Sequence, residues 1–167
     1  MYWLIRSVRA SRWRNGAEST ISDEKLQSAA ADLTPRPRDN GGLSVYAVSD
    51  DRDEKFTGIL HVVLLRKPET VHFLRIQPHQ LTALNLEIKC ESSPDQHPHL
   101  RERHRNIYGL DDTHLRERLA HAILSGTPRL LTLTSGEIKS EGRKLLKQSD
   151  YAGYVAFPAE YQQANRL

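Results

Sequence analysis

Apolar residues in this chain come in short runs, and that limits what it can fold into. YWLIRSV (2–8), LSVYAV (43–48), ETVHFLRI (69–76), LEIKC (86–90), PRLLTLTS (128–135) and YAGYVAF (151–157) are rich in β-branched and aromatic residues, and none exceeds eight residues. Runs of that length and composition read as strands. Most of the segments between them repeat their apolar residues every three or four positions and read as helices. The resulting order is strand, helix, strand, helix, strand, helix, strand, two helices, strand, helix, strand. It predicts an α+β fold: a mixed sheet covered by helices, in a single domain. A chain of 167 residues is long enough to bury one core.

The helices carry their own punctuation. Residues 22–31 have Ser22 or Asp23 as a cap, with Leu26 and Ala30 on a thin apolar side. In DDRDEKFTGILHVVLLRKP, Phe56, Ile59, Leu60, Val63 and Leu64 fall on one helical face, acids lead and Arg66 and Lys67 follow, and Pro68 comes after the end. QPHQLTALN is a short helix with Pro78 in its first turn and Asn85 as a left-handed cap. GEIKSEGRKLLKQ is another helix, and PAEYQQANRL is expected to be a loose tail. In LEIKC, Leu86, Ile88 and Cys90 share one side of a strand.

HPHLRERHRNIYGLDDTHLRERLAH, residues 97–121, holds five of the eight histidines and five arginines. It reads as two helices within an Arg/His-rich segment at about 97–126. The first starts at Pro98 and ends at Gly109; the second starts at Asp111, Asp112 or Thr113. Leu100, His104 and Ile107 share a face of the first, so His104 reads as a core residue bonded to a backbone carbonyl. Leu115, Leu119, Ala122 and Ile123 are the expected buried face of the second. Arg101, Arg105, Arg116 and Arg118 then stand on outward faces of neighbouring helices, with His114 and His121 beside Arg118. Guanidinium forks suit phosphates. Glu102 and Glu117 offset part of this charge. His97, His99, His114 and His121 straddle two helices and lack the spacing of a metal site, so no metal is expected.

Charge elsewhere points the same way. The net charge is only +3, but Arg6, Arg9, Arg12 and Arg14 occupy the first fifteen residues without an acid, and Arg36 and Arg38 follow. Segregated arginine attracts polyanions. One cysteine, Cys90, excludes a disulfide framework and a cysteine-rich zinc site. No apolar run approaches a membrane span or a signal peptide, so the chain is expected to be cytoplasmic with no membrane partner. Glycine-rich nucleotide loops and the nucleophile-elbow motif are absent, and SGEIKSEG does not match the phosphate-loop pattern.

Two resemblances add expectations. The blocks LIR, TPRPRDNGGLSVY, VHFLRI, PHQLTAL and HRNIYGL resemble those of small bacterial proteins carrying an LSVY block, over about residues 4–110; that likeness implies a bacterial or phage origin and brings no assigned activity with it. The chain also resembles NAD-consuming toxins of the RES and ADP-ribosyltransferase types, with GGLSV where the RES type has GGRWN. That likeness implies Arg6 on the NAD pyrophosphate, Tyr46 on the nicotinamide, Ser44 beside it, and Glu54 or Glu137 at the oxocarbenium-like centre. The main expectation is a binding module that engages nucleic acid or an acidic protein partner without a cofactor; the alternative is an enzyme using NAD.

Overall fold

A computed structural model describes residues 2–14, 20–37, 41–91, 97–126 and 128–162. Its strands are β1 (Trp3–Val8), β2 (Leu43–Val48), β3 (Val71–Ile76), β4 (Glu87–Lys89), β5 (His104–Tyr108) and β6 (Leu130–Leu133). They form one sheet in the order β4-β5-β2-β1-β3-β6. The α+β class is as expected, but every neighbouring pair is antiparallel, so the sheet is not mixed. The helices are α1 (Ala10–Trp13), α2 (Asp23–Ala30), α3 (Asp51–Leu65), α4 (Pro78–Thr82), α5 (Pro98–Arg103), α6 (Thr113–Ser125), α7 (Ser135–Leu146), α8 (Ser149–Ala152) and α9 (Pro158–Gln162).

Strand alternation sends side chains to two separate cores. Leu4, Leu43, Val45, Leu74, Ile76 and Ile107 pack with Trp13, Ala29, Ala30, Leu119 and Ile123 from α1, α2 and α6. Ile5, Tyr46, Val48, Phe73 and Leu133 pack with Leu60, Val63, Leu100, Ile138 and Tyr161 from α3, α5, α7 and α9. Burial on both faces explains why the strands read as nearly unbroken apolar runs. Each fully buried Leu or Ile contributes about 1.5–3 kcal/mol.

Local chemistry sets the helix ends. Ser22 accepts from the Lys25 amide, Asp50 from Asp53 and Asp112 from His114. Thr134 and Glu137 form a capping box on α7. Asn85 adopts φ 54°, the left-handed cap expected of it. Gly58 weakens α3 as a helix but brings it close to the sheet: a Cβ there would stand 3.0 Å from Leu133 and 3.2 Å from Phe73.

Four further expectations fail. The first helix of the Arg/His segment stops at Arg103, and His104–Tyr108 is a strand between β2 and β4. Residues 151–157 form no strand; α8 and a turn occupy them. The described part of the tail, α9, is anchored, because Tyr161 is fully buried against Gly142. Cys90 is exposed, since β4 ends at Lys89 and the alternation stops with it. Arg38, residues 92–96 of the expected ESSPDQ loop and residues 163–167 lie outside the described residues.

Candidate functional site

The arginines expected to share one surface are divided. α5 packs through Leu100 into one core, and α6 packs through Leu119 and Ile123 into the other. Arg101 is therefore exposed on one side of the sheet, and His114, Arg118 and His121 on the other. Arg105 lies on β5, and its Nη1 donates to the Glu102 and His104 carbonyls at 2.8 and 2.7 Å. Arg116 folds back to donate to the Leu110 and Asp111 carbonyls and the Thr113 hydroxyl. Two of the four guanidinium groups thus brace their own backbone. Because β5 is a strand and not a helix, Arg101 and Arg105 do not share one helical face.

Arg6, Ser44, Tyr46 and Glu137 do not share a cleft. Arg6 follows Leu4 onto the α2–α6 side, where its Nε donates to the Asp32 carbonyl at 2.9 Å. Tyr46 packs in the other core, and Ser44 is on its side. Glu137 is occupied at the start of α7: it accepts from the Thr134 amide and hydroxyl and from Lys55 Nζ at 3.0 Å. The Thr134 amide, then Lys55, hold its pKa at about 2. Glu54 is buried beneath Arg75.

The structure does assemble a polar cluster where β2, β5 and the end of β4 meet. Ser44 Oγ lies 2.8 Å from His104 Nε2, and His104 Nδ1 meets the Glu91 carbonyl. His104 is buried and bonded to a backbone carbonyl, as the sequence reading expected. Asn106 Nδ2 and Tyr108 Oη donate to the Glu91 carboxylate at 3.0 and 2.5 Å. Tyr108 first and Asn106 second hold that carboxyl below its ordinary pKa.

A second feature lies at the start of α3. Ser49, Asp50, Arg52, Asp53, Phe56 and Arg103 line an open cleft of about 490 Å³. Arg103 Nε donates to Asp53 at 2.9 Å. Burial works to raise the Asp53 pKa, but the Ser49 amide and Arg103 outweigh it and hold the carboxyl below its ordinary value. Asp50 is engaged as the α3 cap. Arg52 is exposed and makes no ion pair among the described residues. Sequence reading missed this site because Arg103 was one of many arginines and Arg52 sat among acids. The available signal was Arg52 and Phe56, four apart on one helical face.

Among the described residues no three His, Cys, Asp or Glu side chains gather as a metal set, and no helix is long and apolar enough to cross a membrane. No protein-family model, curated protein or solved structure matches the chain.

Proposed function

We propose that the protein is a binding module that holds single-stranded nucleic acid in the cleft at the start of α3. The observation that carries this reading is the pairing of Arg52 with Phe56 in a cleft of about 490 Å³ that also includes Arg103. An arginine beside an aromatic ring combines a phosphate fork with a stacking surface, the pair that sequence-tolerant strand binding uses. The volume suits one nucleotide unit. Asp53 is already matched to Arg103, which leaves Arg52 as the guanidinium available to a phosphate. Phe56 favours nucleic acid over an acidic protein partner, because an acidic segment brings no flat ring to stack.

The test is fluorescence anisotropy with labelled single-stranded DNA and RNA across a salt series. Affinity should fall with ionic strength, by a slope of about 0.7 for each phosphate contacted. Arg52→Ala should weaken binding and remove about one contact's worth of that slope, and Arg118→Ala should change neither. Absence of binding at low salt sinks the proposal. An acidic peptide that binds where oligonucleotides do not would transfer the cleft to a protein partner.

A further inference from the structure

The proton arrangement at His104 has a chemical consequence independent of the cleft. The Glu91 carbonyl can only accept, so in the neutral imidazole the Nδ1 position carries the proton and donates to it. Nε2 is then the lone pair. The one proton between Nε2 and Ser44 Oγ, 2.8 Å apart, therefore belongs to the hydroxyl, which donates to the ring. This is the polarity of a serine nucleophile facing its general base. The carbonyl that sets it is itself held in place. Asn106 and Tyr108 grip the Glu91 carboxylate from β5, the strand that carries His104, so one short segment orients the histidine at both ends. Tyr46 packs edge-on against the His104 ring at 5.7 Å and limits its rotation. Ser44 is half-buried and thus not sealed in either core.

We infer that Ser44 and His104 form a nucleophile–base pair able to accept an acyl group from an ester or thioester. Ser44 Oγ forms the new bond to the carbonyl carbon while its proton passes to His104 Nε2. The bond from that carbon to the alcohol or thiol breaks, and the leaving group takes the proton from Nε2. Water then attacks the acyl-serine with the same histidine as base, releasing a carboxylic acid and restoring the hydroxyl. Glu91, Asn106 and Tyr108 are positioning residues that act through His104.

A fluorophosphonate probe tests the pair directly, because it phosphonylates an activated serine without needing a matched substrate. The expected result is a single adduct on the full chain, located at Ser44 by peptide mass spectrometry and lost in Ser44→Ala. His104→Gln should slow labelling by about a hundredfold or more, the usual contribution of a general base. A wild-type protein that gains no adduct, or an adduct at another serine, overturns the inference, as does unchanged labelling of a folded His104→Gln. Should His104→Gln not fold, the wild-type pH profile decides. A labelling rate that drops on acidification and reaches a plateau as pH rises supports a base that must first lose its proton. A rate that climbs tenfold per pH unit throughout reflects a serine without one and overturns the pair.

Discussion

Arg75 lies over the Trp3 ring at 4.1 Å while its guanidinium holds Glu54, which is only 2% exposed. The same group reaches Asp51 at 2.6 Å, so one arginine from β3 neutralises two acids of the first turns of α3. Asp51 is exposed and adds little. The buried partner decides the cost of substitution. Arg75→Ala should lose about 3–5 kcal/mol in urea unfolding, because it strands a buried carboxylate. Arg75→Ala with Glu54→Leu should recover much of that. A single variant that unfolds within about 1 kcal/mol of wild type would show that water reaches Glu54.

His99 gives the α3–α5 contact a pH dependence. Its Nε2 meets Thr57 Oγ1 at 3.2 Å, and its ring packs on Phe56. Asp53 lies 3.9 Å away, and Arg103, His97 and Glu102 also act on it. Burial first, and the Arg103 charge next, lower its pKa. The unfolded chain then takes up the proton first as pH falls. Its contribution is complete above about 6.5, the unfolded value, and is lost as pH falls through the lower folded value. His72 shifts the same way and acts in the same window. Melting temperatures at pH 7.5 and 5.5 should therefore drop less for His99→Gln than for wild type. Equal drops would remove His99 as a contributor.

Gly142 and Tyr161 fasten α9 to α7. A Cβ on Gly142 would stand 2.3 Å from the Tyr161 ring. Alanine gains about 1 kcal/mol in helix propensity over glycine, whereas overpacking a fixed ring costs about 1–3 kcal/mol. Gly142→Ala should therefore be destabilising overall, and the same substitution beside Tyr161→Ala should not be. Thermal unfolding of the two pairs separates packing from propensity.

The Tyr161 hydroxyl is buried without a hydrogen-bond partner among the described residues, and burial, with Glu160 adding to it, pushes its pKa up to about 12. Tyr161→Phe removes the hydroxyl and keeps the ring. It should be neutral or stabilising by about 1 kcal/mol. A loss of more than that in denaturant unfolding would reveal a bridging water.

The parts legible in the sequence were those fixed by neighbours along the chain. Ser22, Asp112 and Asn85 could be placed because capping needs only the next few residues. The β5 strand was not legible. Its His104, Asn106 and Tyr108 turn a polar row toward the side where a strand would ordinarily bury apolar groups, so period two was hidden. Pairing with β2 and β4 decides its conformation, and β2 is far away in sequence. YAGYVAF misled in the opposite sense. Its composition is that of a strand, yet the chain there turns across α7 to bring Tyr161 onto Gly142. The candidate site suffered with β5: Ser44 and His104 are 60 residues apart and meet only through strand register.

The strand order also dictates how the sheet can be built on a ribosome. β2-β1-β3, the centre of the sheet, comes wholly from the first 76 residues. β4 and β5 follow as one antiparallel pair that joins at the free edge of β2, and β6 joins at the free edge of β3. No later strand has to be inserted between two already paired. The nascent chain can therefore close its middle early and grow outward, and its exposure to wrong pairings shrinks to two edges as synthesis proceeds.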